Sequence, residues 1–214
     1  MTIFGKSHAP EHRRQGYTLI EIAIVLGVMG SIVAGLFIVA EIAQYRVMTN
    51  RASDELNLIA DNMRNFYVAQ NVSVAALGVN CTINYSAAAV SQGLFPKEMV
   101  SGGFANNPWN DGVATNTAQV GLTSNIVACP TVQGPVQIVV EYTNIPAEAC
   151  TDLVTRNSLS GRETGLQEIQ VNAAVVGIAG NTGATPLPVD PITSKAHCTS
   201  ATANTIDWFY NLHN

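Results

Sequence analysis

An uncharged apolar segment near the start of the chain constrains the fold more than any other feature of the sequence. From Ile22 to Ala40, nineteen residues follow one another without an Asp, Glu, Lys or Arg. A helix rises about 1.5 Å per residue, so this segment would measure about 28 Å, enough to cross the hydrocarbon core of a bilayer. We therefore expect a membrane-spanning helix at residues 22–40.

The charges on either side of this segment predict its orientation. Arg13 and Arg14 come shortly before it, and Glu41 follows it. The positive-inside rule then places the N-terminus in the cytoplasm and the rest of the chain outside. Residues 1–16 carry a net charge of +2, so the formal total of −5 leaves about −7 on the remainder. Such an acidic remainder is poorly suited to nucleic-acid phosphates, and no direct nucleic-acid binding is expected.

Two simpler interpretations of the segment account for Glu21 less well. A secretory signal peptide usually has a shorter apolar core, no carboxylate at its beginning and a small-residue cleavage site at its end. A plain single-pass anchor explains the length but not a glutamate in the first turn of an apolar helix. A glutamate that reaches the headgroup level by snorkelling remains the alternative to a functional one.

The helix is predicted to continue beyond the membrane, because apolar residues recur at spacings of three and four up to about Gln70. Polar residues occupy the positions between them, so one face can pack on a sheet. A separate coiled-coil stalk is the alternative, but the stripe lasts only about four heptads. The stripe consists of Ile42, Tyr45, Thr49, Ala52, Leu56, Ile59, Met63 and Phe66.

After residue 70 the sequence changes to short β-branched runs separated by Gly, Asn, Ser and Thr, which indicates strands joined by turns. Alternation with a period of two predicts strands at Val136–Tyr142, Ile169–Val176 and Thr205–Leu212, the last closing the core. The segment Asn181–Asp190 is predicted to be an exposed loop. The fold class is therefore α+β, with a long N-terminal helix packed on a C-terminal sheet.

The cysteines all follow the apolar segment, at Cys81, Cys129, Cys150 and Cys198. None has a metal-ligand spacing, and an even number beyond a membrane anchor favours disulfides in an oxidising compartment over free buried thiols. The sequence also has no HExxH, P-loop or GxSxG motif, and its four histidines have no ligand-like spacing. We expect neither an enzyme nor a bound cofactor or metal.

The segment from Arg13 to Glu21, RRQGYTLIE, resembles the processing site of type IV prepilins. In that family a basic leader ends in Gly, and a glutamate is the fifth residue of the mature chain. The resemblance implies cleavage between Gly16 and Tyr17 by prepilin peptidase, N-methylation of Tyr17, and a role for Glu21 in assembly.

Two departures from the best-known subclass point to type IVb pilins: Tyr17 stands in place of Phe, and the leader is longer. Residues 93–100 (GLFPKEMV) and 107–112 (NPWNDG) are similar to the region that enters the sheet in PilS-type conjugative thin-pilus pilins and bundle-forming pilins. Residues 142–150 and Cys198 are similar to the C-terminal disulfide loop of that group, packed on an antiparallel sheet. The resemblance implies a disulfide between Cys150 and Cys198, and less firmly one between Cys81 and Cys129.

The resemblance also implies an organisation and a function. Residues 1–16 form a cytoplasmic leader, residues 17–70 the N-terminal helix, and residues 71–214 the globular head. The chain is expected to be the major structural subunit of a type IVb pilus for adhesion, aggregation or conjugative mating. Its partners are other copies of itself, prepilin peptidase, the inner-membrane assembly platform and, before assembly, the membrane. The alternative is a minor pilin or pseudopilin, at a pilus tip or in a type II secretion piston.

Overall fold

The computed structural model describes residues 18–70, 82–84, 86–109, 120–126, 136–160, 165–180, 183 and 185–211. The chain divides into two compact units, with the boundary between Gln44 and Tyr45. Within the described ranges the helices are α1 (Leu19–Gln70), α2 (Ser86–Ser91), a 3₁₀ helix (Lys97–Met99), α3 (Ala147–Ser160) and α4 (Pro191–His197).

The described strands are β1 (Thr82–Asn84), β2 (Val100–Ser101), β3 (Phe104–Ala105), β4 (Val120–Ile126), β5 (Val136–Ile145), β6 (Leu166–Val171), β7 (Ala174–Ile178) and β8 (Asn204–Asn211). They form a six-stranded sheet in the order β1-β4-β5-β8-β6-β7 and a separate β2-β3 pair. Every neighbouring pair is antiparallel. The α+β fold, with a long helix and an antiparallel sheet, is as predicted.

The part of α1 in the first unit exposes its apolar side chains in all directions. From Leu19 to Val39 the large hydrophobic residues are between 48% and 90% exposed. An eighteen-residue window of this helix has a mean hydropathy of 2.7, and none of that window is buried. By length and composition this helix could cross a membrane.

The part of α1 in the second unit buries one side. Ala52, Leu56, Ile59 and Met63 are at most 1% exposed, and Tyr45 and Phe66 pack at the edges of the same core. The predicted apolar stripe is therefore confirmed from Tyr45 onward. Ile42, which the stripe also included, lies in the first unit and is 51% exposed.

Strands β5 and β8 supply the centre of the core. They lie side by side in the middle of the sheet, and alternate residues of each point inward. The Tyr142 and Trp208 rings meet edge to face, with centroids 5.1 Å apart and planes at 81°. The predicted C-terminal strand is confirmed from Thr205 to Asn211, and Leu212 lies outside the described residues. The inward-facing residues are Ile138, Val140, Tyr142, Ile206, Trp208 and Tyr210.

One sequence prediction in the last third of the chain was wrong, and another was wrong in part. Ile169–Val176 is a hairpin rather than one strand, because Asn172 and Ala173 adopt positive φ angles of 51° and 65° and reverse the chain. The segment predicted as an exposed loop, 181–190, contains no helix or strand at its described residues, as predicted, but Leu187 and Val189 are buried, at 6% and 3% exposure. Their side chains pack against the backbone of β7, where the absence of a side chain at Gly177 leaves room.

Candidate assembly site

Glu21 lies in the first turn of α1, and Thr18 caps that turn. The Glu21 backbone N–H donates to the Thr18 carbonyl oxygen at 3.0 Å and to Thr18 Oγ1 at 3.4 Å. A Thr three residues before a Glu is the pattern of an N-terminal capping box. A carboxylate at this position is also favoured by the positive end of the helix dipole. The sequence therefore places Glu21 at the start of the apolar helix for a local reason as well.

The Glu21 side chain is exposed and accepts no hydrogen bond or ion pair from the other described residues. The next carboxylate on the helix, Glu41, lies at the far end of the uncharged segment, about 30 Å away at 1.5 Å per residue. Within the described residues, Glu21 is therefore an exposed carboxylate without a partner, beside an apolar surface. Gly16 and Tyr17 lie outside the described residues, so cleavage and methylation there stay predictions.

The second unit contains the disulfide that the resemblance implied. Cys150, in the first turn of α3, is bonded to Cys198 at the end of α4, and their Cα atoms are 5.8 Å apart. Both residues are buried. The disulfide-bonded region of the predicted fold is thus present, and it contains two helices. Cys81 and Cys129 lie outside the described residues, and their pairing remains a prediction.

Hydrogen bonds fix α4 beside α3. Asp190 caps α4 by accepting bonds from the backbone of Ile192 and Thr193 at 2.9 and 3.0 Å and from the Thr193 hydroxyl. These bonds, chiefly those from Thr193, hold the pKa of the Asp190 carboxyl below its ordinary value. In the middle of α4, Ser194 Oγ donates to the Thr151 carbonyl oxygen at 3.2 Å. The disulfide and the Ser194 bond join α3 to α4.

Helix α3 in turn packs on α1 within the second unit. Ser53 Oγ donates to Asn157 Oδ1 at 2.6 Å in a buried position, and the Arg156 guanidinium donates to Asn50. Burial raises the pKa of the Tyr45 hydroxyl to about 12, with a further contribution from the carboxylates of α3. The side of α1 that carries Asn50 and Ser53 therefore packs against α3.

The sequence analysis did not single out two residues with a structural role in α1, the capping Thr18 and the buried Glu55. Thr18 could have been found, since the Thr-x-x-Glu spacing is visible there. Glu55 follows Arg51 by four residues, which signals a helical ion pair. Its burial cannot be read from that spacing, because it depends on the distant segment Pro96–Glu98 that lies beside it.

Comparison with known families decides what class of protein this architecture belongs to. The model of the PilS N-terminal family matches residues 46–211, more than half of the chain. The chain belongs to the PilS N-terminal family. Membership identifies a pilin-type protein and confirms the resemblance to PilS-type pilins seen in the sequence. It also favours a structural protein over an enzyme.

The PilS N-terminal match begins after the apolar segment and runs from the second half of α1 to the end of β8. It therefore includes the sheet and the disulfide-bonded region, whereas the membrane-spanning character of residues 22–40 rests on the sequence and on the exposure of α1. An apolar N-terminal helix on a pilin head fits anchoring in a membrane before assembly into a pilus. No curated protein matches the chain.

Proposed function

We propose that this chain is the precursor of the major structural subunit of a type IVb pilus. Prepilin peptidase removes residues 1–16, the new N-terminus at Tyr17 is methylated, and an inner-membrane platform assembles the subunits into a surface filament. Before assembly the subunit is anchored by residues 22–40 with its head outside the inner membrane. The filament then serves adhesion, aggregation or conjugative mating contact.

The observation that carries this proposal is the exposed apolar half of α1 in a chain that belongs to a pilin family. From Leu19 to Val39 the large apolar side chains are all at least 48% exposed. A soluble monomer rarely leaves so large a continuous apolar surface in water. Lipid covers this surface before assembly, and the same helix of other copies covers it in the filament.

Glu21 gives assembly its register. A carboxylate in an apolar environment costs a few kcal/mol unless it finds a cation. Cleavage after Gly16 creates one, the Tyr17 amine, and Glu21 lies four residues further along the helix. The amine of one subunit and the Glu21 carboxylate of its neighbour can therefore pair in the helical core.

The proposal is tested by comparing Glu21→Ala with Glu41→Ala in cells that carry the assembly machinery. Both variants remove one exposed glutamate from α1, but only Glu21 is close to the new amine. We expect Glu21→Ala to be processed normally and to yield at least about tenfold fewer sheared filaments, because its carboxylate no longer pairs with the neighbouring amine. Glu41→Ala should assemble at the wild-type level.

Normal piliation of Glu21→Ala would contradict the proposed pairing of the Tyr17 amine with Glu21. A wild-type chain that never forms filaments would overturn the proposed function. The abundance of the chain in sheared filaments separates a major subunit from a minor one. A major pilin is the principal protein of the filament, whereas a tip or piston component is a trace.

A further inference from the structure

We draw no further inference here: the strongest candidate, the groove of the second unit between α1 and residues 96–98, which the buried Glu55 lines in part, carries none because nothing in the structure of the described residues shows what covers it.

Discussion

Ser53 on α1 donates a hydrogen bond of 2.6 Å to Asn157 Oδ1 on α3, and both residues are buried. This bond crosses 104 residues of sequence and ties the long helix to the disulfide-bonded region. The second half of α1 is thus part of the pilin head, which explains why the family match begins within the helix.

Removal of this hydroxyl should weaken the head. Ser53→Ala leaves Asn157 Oδ1 buried without a donor, and we expect the free energy of unfolding to fall by about 1–3 kcal/mol. Urea unfolding of the full chain in detergent, followed by tryptophan fluorescence, measures the change because Trp208 is fully buried. Ser91→Ala is the control, since that exposed hydroxyl bonds only within its own helix. Equal stability of the two variants would contradict the role of the Ser53 bond.

The disulfide should contribute strongly to the stability of the head. The bond between Cys150 and Cys198 closes a separation of 48 residues, which the chain-entropy model values at about 4 kcal/mol. We expect the variant with serine at both positions to lose about this much in the same urea experiment and to form few filaments. Changing both residues avoids a free thiol. Filaments and unfolding unchanged from wild type would show that α3 and α4 hold together without it.

A carboxylate pair on the sheet should make stability depend on pH. Asp207 lies opposite Glu141 in the β5-β8 register, and burial, followed by Glu141, raises the pKa of Asp207 to about 6. The unfolded value is about 3.9. The Asp207 carboxyl therefore binds its proton more tightly in the folded state than in the unfolded state. The contribution of this proton to the free energy of unfolding is fully present below pH 3.9 and is lost as pH rises through about 6.

Asp207→Asn should remove this dependence. After allowance for the partial exposure of the group, we expect the variant to be about 1 kcal/mol more stable than wild type at pH 7.5. At pH 4 the difference should shrink. Thr205→Ser, on the same face of β8, changes no charge and should keep the wild-type pH profile. If stability depends on pH in Asp207→Asn as it does in the wild type, the Asp207–Glu141 pair is not the source of that dependence.

Strong periodic patterns were the features that the sequence predicted well. The stripe from Tyr45 to Phe66 and the alternation of β8 each repeat over several turns or residues, so local pattern and burial agree. The hairpin at Asn172 was missed because Asn-Ala lacks the glycine that usually marks such a turn. Helix α3 was missed because its Ser, Thr and Asn residues favour turns locally, and its packing on α1 overrides them.

In the candidate site, too, residues in a local pattern could be predicted and residues that depend on distant contacts could not. Glu21 could be located because its spacing from Gly16, the basic leader and the apolar segment form one local pattern. The buried Oε2 of Glu55 could not, since it arises where α1 meets the segment Pro96–Glu98, some 40 residues away in sequence. Leu187 and Val189 were predicted to be exposed for a similar reason, because their burial depends on contact with β7.

The mass and N-terminal sequence of the subunit in sheared surface filaments test the central claim most directly. Our account predicts a filament whose principal protein begins at methylated Tyr17 and lacks residues 1–16. A chain found in the membrane with residues 1–16 still attached, as dispersed molecules in cells that have the pilus machinery, would contradict it.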